Sequence, residues 1–210
     1  MPRVTEVVKH LLIINVIIYF GAQLLLGAGE SRILSLYYPE SDFFRPFQFV
    51  THMFMHADLN HLLFNMLTLF FLGPFVEMAL GAKRFLTLYF VAGFGAMLLH
   101  LVVWNLELGA LDPAQFQYLM ERGVDARVVG ASGAIYGVLI AFAAMFPDVK
   151  LMLLIPPIPI KAKYLALGLI AFDLFSGISR MQTGVAHFAH LGGALFGFLL
   201  ILYWRKVRLR

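Results

Sequence analysis

Apolar runs of near-spanning length recur along this chain, and they limit its fold more than any other feature. Crossing about 30 Å of hydrocarbon takes about 20 largely apolar residues at about 1.5 Å each. Divided at clusters of charge and of Gly and Pro, the sequence shows six such runs: 11–26, 60–78, 85–104, 132–146, 164–177 and 186–204. The fourth is too short for a full crossing; if its N-terminus starts below the outer surface, the loop before it must dip inward. Composition agrees: 61% of residues are hydrophobic and only 13% are charged, against about 25% charged in an average soluble domain. That leaves too little polar surface to cover a water-soluble globule, and disorder is excluded because disordered chains are poor in apolar residues. The expected fold is an all-α membrane protein, a six-transmembrane-helix bundle forming a single domain over 1–210, with no room for a soluble one. Cysteine is absent, which removes disulfides, thiolate metal sites and a cysteine nucleophile.

A net charge of +4 could suggest nucleic acid, but in a membrane protein basic residues mark the cytoplasmic loops. The expected surroundings are therefore a lipid bilayer, with no nucleic-acid partner. Of the 16 Lys and Arg residues, eleven (among them Lys83, Arg84, Lys150, Lys161, Lys163 and Arg205) fall on one side of the six runs. Five fall on the other: Arg32, Arg45, Arg122, Arg127 and Arg180. The positive-inside rule then places both termini in the cytoplasm, as an even number of spans requires. Most loop acids, Asp125 included, lie on the outer side. No internal repeat is visible, which disfavours an inverted-repeat transporter. The run from Ile155 to Ile160 (IPPIPI) cannot be helical and reads as a turn along the cytoplasmic interface.

Polar groups inside apolar runs are costly, and each is a candidate for function. In GASGAIYG (130–137), Ser132 lies between glycines at the start of the short fourth run. It is either a nucleophile beside free helix N–H groups or an N-cap serine next to a small-residue packing face, Gly133 and Gly137. In AHLGGALFG (189–197), Gly193 and Gly197 follow His190 at i+3 and i+7 on one helix face, so a neighbouring helix can approach closely. His190 is a candidate general base or an interhelical hydrogen-bonding residue, and His187, one turn earlier, is the rival base. His61 and Asn65, at i,i+4, share a face and can both donate to an oxyanion, or simply form a polar packing pair. His52 and His56 have the spacing of a structural hydrogen-bond cluster. A metal reading of these histidines lacks a nearby carboxylate or an HExxH motif. Glu77, in GPFVEMALG, lies at the far depth and reads as structural. Asp173, within the fifth run, reads as a hydrogen-bonding group that could also orient a histidine.

Taken in order, HxxxN, GxSG and AHxxGxxxG resemble the rhomboid family of intramembrane serine proteases, from about Arg45 to Gly197. Each motif alone is weak; their order on the second, fourth and sixth runs is specific. The resemblance implies that Ser132 is the nucleophile and His190 the base. It places His61, Asn65 and Gly130 in the oxyanion group, Tyr136 stacked on the histidine, and Gly193 and Gly197 as supporting residues; His187 has no catalytic counterpart. One departure stands out: many members carry Trp-Arg just before the second span, where this chain has Phe47-Gln48. That touches the anchoring of the first outer loop.

The implied chemistry is a Ser–His dyad that needs no cofactor, with transmembrane protein substrates and an active site opening to the outer side. Segment 178–185 would be the cap, with Gly177 and Gly184 as hinges. Small size and the absence of a visible targeting extension point to a bacterial plasma membrane. Oligomeric state is not legible. Two other readings keep the same residues: a catalytically silent scaffold that binds client helices, and a small transporter or metal carrier using the histidines.

Overall fold

The computed structural model describes residues 3–122, 127–153, 156–181 and 183–208. Asp125, Ile155 at the head of the Pro-rich run, and residue 182 within segment 178–185 lie outside the described residues. Among the described residues eight α-helices follow in chain order: α1 (Glu6–Glu30), α2 (Gln48–Thr51), α3 (Leu59–Leu80), α4 (Ala82–Leu108), α5 (Pro113–Arg122), α6 (Ser132–Met145), α7 (Ala162–Ile178) and α8 (His187–Arg208). Four of them are long and apolar enough to cross a membrane: Glu6–Leu25 within α1, α3, α4, and His187–Val207 within α8. The remaining two expected runs form shorter helices, 14 residues in α6 and 17 in α7.

Capping side chains rather than hydropathy set where α1 and α3 begin. The carboxylate of Glu77, near the end of α3, accepts from the N–H groups of Val7 at 3.1 Å and Val8 at 3.0 Å. It also accepts from the Thr5 hydroxyl. A buried acid thus satisfies the free N–H groups of α1 and its positive dipole end, and α1 begins at Glu6 rather than at the apolar Leu11. Asp58 caps α3 in the same way, its side chain accepting from the His61 N–H at 2.9 Å. Between α3 and α4 the chain turns on a single residue, Gly81, with φ at +82°, a conformation that side chains resist.

The polar connections hold more structure than the sequence suggested. Segment 105–129, expected to be loop, contains helix α5, which packs through Phe116, Leu119 and Met120 onto Tyr38, Trp104 and Leu108. Segment 27–47 carries strand β1 (Leu36–Tyr37), paired antiparallel with β2 (Arg127–Val128). At the other end, β3 (Lys150–Met152) pairs antiparallel with β4 (Pro159–Lys161), so Pro159 and Ile160, expected to belong to a turn, are strand. Two-residue and three-residue strands leave almost no period for sequence patterning to reveal.

α6 is the axis of the bundle. Residues 133–135 and 137–143 are all buried, and the helix packs against α3, α4, α8 and, less extensively, α7. The outer helices instead turn large apolar side chains outward, including Ile17, Leu24, Phe64, Leu98, Phe175 and Leu199. Water would not tolerate so continuous an apolar surface, whereas lipid does. α7 buries only Ala162, Ala166, Asp173 and Ser176.

The fold makes a prediction at Glu77. Glu77→Ala strips the cap from α1 and leaves buried N–H groups unpaired, so stability falls by about 1–3 kcal/mol. Thermal unfolding in detergent would show a lower midpoint, with Glu77→Gln closer to the parent because its amide oxygen still accepts.

Candidate active site

The site forms where the N-terminus of the short central helix meets the last helix. Ser132 is the first residue of α6; Ala131 before it is already helical, and no side chain caps the helix. The serine hydroxyl is therefore not the cap that the simpler reading offered. It lies 2.9 Å from His190 Nε2 on α8. The first bond of the helix runs from the Ile135 N–H to the Ala131 carbonyl, so the N–H groups of the preceding turn have no partner within α6.

Close helix approach makes this contact possible. A methyl group on Gly193 would collide with the carbonyl oxygen of Gly133, and one on Gly197 would fall 2.6 Å from Gly137 Cα. Methyl groups on Gly133 and Gly137 would collide with Ala96 and Ala92 of α4. The glycines of α6 and α8 thus let two backbones touch, with α4 filling the side of the seam. Both readings of the GxxxG spacing hold together: it is a packing face, and by being one it carries His190 to Ser132. The Tyr136 ring then stacks on His190, with centroids 4.2 Å apart and planes 16° from parallel.

α3 supplies the opposite wall. Its first turn presents His61, and one turn later Asn65 is buried with its side-chain nitrogen unpaired. Buried donors without partners are rare and call for an explanation. Gly130 closes the gap: at φ +130° it faces His61, and a Cβ there would sit 2.9 Å from the imidazole and 3.5 Å from Ser132 Oγ. Its own N–H donates to the His52 carbonyl at 2.9 Å.

The first outer segment is fastened to this wall through Gln48, at the place where the family often has Arg. Gln48 is fully buried. Its amide nitrogen donates to the carbonyls of Ile33 (2.9 Å) and Phe43 (3.0 Å), and its oxygen accepts from the Tyr37 N–H at 3.3 Å. The Gln48 carbonyl accepts from His52 Nδ1 at 2.7 Å, which leaves the proton on Nδ1 because a carbonyl can only accept. Burial holds the His52 imidazole down to about 4, so it is neutral at physiological pH and acts as a structural hydrogen-bonding group. His56 packs edge-on against His61, with centroids 5.1 Å apart. Among the described residues no group of three His, Asp or Glu side chains is placed to hold a metal ion.

Asp173 and His187 enter the site from α7 and α8. Asp173 Oδ1 lies 2.6 Å from His187 Nδ1 and 3.3 Å from His190 Nδ1. The sequence showed an acid inside an apolar run and two histidines one turn apart, but not that all three converge. His100 packs against Trp104 at a centroid distance of 4.3 Å.

Comparison with known proteins gives a consistent answer. Residues 44–207 match the family model of the rhomboid domain. A rhomboid protease of Providencia stuartii is 30% identical over 209 residues, covering 90% of this chain and 69% of the relative. A putative rhomboid protease of Bacillus subtilis is 29% identical, covering 72% of this chain and 63% of the relative. The mitochondrial rhomboid protein 1 of Saccharomyces cerevisiae is 31% identical over 73% of this chain, which spans only 40% of that protein's length.

The glycine seam makes a prediction. Gly193→Val drives side-chain atoms into the α6 backbone and should cost about 3 kcal/mol. Gly168→Ala on α7, where a Cβ meets nothing within 4 Å, should be neutral or mildly stabilising. Thermal midpoints of the two variants in the same detergent would separate them.

Proposed function

The chain belongs to the rhomboid family, and on that footing we propose that it is an intramembrane serine protease in which Ser132 is the nucleophile and His190 the base. The observation that carries this reading is the 2.9 Å contact between Ser132 Oγ and His190 Nε2. A scaffold that only bound helices would not need that pair.

In the proposed mechanism, His190 Nε2 takes the Ser132 proton as Oγ bonds to a peptide carbonyl carbon. Negative charge moves to the carbonyl oxygen, where the Ser132 backbone N–H, Asn65 and His61 donate to it. Gly130 contributes open space beside the oxyanion, since its amide is engaged with His52. The C–N bond then breaks as His190 returns the proton to the leaving amine. Water, deprotonated by His190, hydrolyses the acyl-enzyme and restores Ser132. Tyr136 and the glycines at 193 and 197 hold the imidazole in place.

The protein is an integral membrane protein, and we propose six spans with both termini on the basic, cytoplasmic side of a bacterial plasma membrane. The unequal division of Lys and Arg supports that orientation. At 14 residues, α6 reaches about 21 Å. Its N-terminus then sits below the outer surface, in a cavity reached from the outer side, where non-helical backbone is tolerated. Segment 178–185 is the proposed cap, and Gly184 within it has φ at +71°. Substrates are transmembrane segments of other proteins, whose scissile stretch must leave its helix before a carbonyl is exposed.

Three outcomes test this reading in liposomes with a fluorogenic single-span substrate. Ser132→Ala and His190→Ala should abolish cleavage, while retained turnover in Ser132→Ala would end the proposal. Asn65→Ala should lower kcat by about 10²–10³. Replacing Gly or Pro near the outer end of the substrate helix with Leu should slow cleavage, and equal rates would contradict local unwinding.

A further inference from the structure

We propose that Asp173 is a positioning residue for His190, and that His187 and Thr183 hold its carboxylate in place. This extends the protease reading and rests on it. Four side-chain contacts form one chain from the segment after α7 to the nucleophile. Thr183 Oγ1 lies 2.7 Å from His187 Nε2, and His187 Nδ1 lies 2.6 Å from Asp173 Oδ1. The same oxygen lies 3.3 Å from His190 Nδ1, and His190 Nε2 lies 2.9 Å from Ser132 Oγ.

The protons in this chain follow from the chemistry of the groups. A carboxylate can only accept, so both imidazoles present an N–H at Nδ1 to Asp173. Each Nε2 is then left as an acceptor. On His187 it accepts a hydrogen bond from the Thr183 hydroxyl; on His190 it faces the Ser132 hydroxyl, the tautomer a general base needs. Without a fixed acceptor at Nδ1, the His190 proton could sit on Nε2 and block proton transfer.

Charge gives the arrangement a second effect. As Ser132 attacks, His190 becomes positive, and the carboxylate on its far side stabilises that charge in the transition state more than in the ground state. Such an effect appears in kcat rather than in KM. Asp173 is 1% exposed, and a buried acid of this kind needs partners. His187 supplies the shorter of the two imidazole contacts to the carboxylate. Thr183 belongs to the proposed cap, so this chain also links the cap to the base.

The test uses the full chain, comparing the parent, Asp173→Asn, Asp173→Ala, His187→Ala and the double variant Asp173→Asn/His187→Ala. The readouts are kcat and KM for the single-span substrate, the rate of Ser132 modification by a fluorophosphonate, and the thermal midpoint. Asp173→Asn is nearly isosteric and keeps an acceptor, but it loses the charge and can turn its NH2 toward Nδ1. It should lower kcat and the modification rate at least about tenfold, with KM and thermal midpoint close to the parent. His187→Ala should lower kcat less, and the double variant should be no slower than Asp173→Asn, because both act through one network. Parent-like kcat in Asp173→Asn, or additive losses in the double variant, would overturn the proposal while leaving the Ser132–His190 reading intact. If Asp173→Ala loses activity only together with its thermal midpoint and Asp173→Asn is parent-like in all readouts, the acid is structural and the proposal fails. A parent that neither cleaves substrate nor reacts with the fluorophosphonate overturns both readings.

Discussion

Backbone contact between α6 and α8 is the constraint on which the rest of the molecule depends. Ser132 and His190 are 58 positions apart in the chain and reach hydrogen-bonding distance because Gly133 and Gly137 meet Gly193 and Gly197 without side chains between them. In lipid there is no hydrophobic force to press helices together, so packing and interhelical hydrogen bonds must do so. A seam of small residues provides the first, and the histidine–serine contact contributes to the second. α4 completes the seam with Ala92 and Ala96, and the central helix becomes a buried rod whose N-terminus is held at a defined depth.

Around that rod, the polar groups sort by depth. At one end Glu77 is consumed by capping α1, a role with no chemical reach beyond the fold. At the other end His61, Asn65, Gly130, Ser132, His187, His190 and Asp173 gather from four helices and the residues just before α6. The same physical rule accounts for both groups. A polar side chain inside an apolar body persists only with partners, and at the Ser132 end the Asn65 side-chain nitrogen is a buried donor without one.

The outer segment before α3 shows how a substituted motif can keep its task. Gln48 uses its amide in both senses, donating twice and accepting once, and so binds backbone from residues 33, 37 and 43. His52 then passes that anchoring to Gly130, and through it to the wall facing Ser132. A positive charge is not required for such anchoring, because every partner is a backbone group that a neutral amide can satisfy.

Much of this was legible in the sequence. Run length marked where the principal helices lie and that α6 is short, since the energetics of lipid act on each run by itself. The periodic spacing of His61 with Asn65, and of His190 with Gly193 and Gly197, assigned each pair to one helix face, and the order of the three motifs pointed to the family. Hydropathy could not place the ends of α1 and α3, because Glu77 and Asp58 set them by capping, and Glu77 acts across the fold. Nor could it reveal α5 or the short strands, whose partners are distant in the chain. Above all, only the tertiary structure decided that Ser132 meets His190 rather than capping its own helix, and that Asp173 stands between two imidazoles. Periodicity reports the face on which a residue lies; which faces meet, at what depth and at what distance, is settled by how the helices pack.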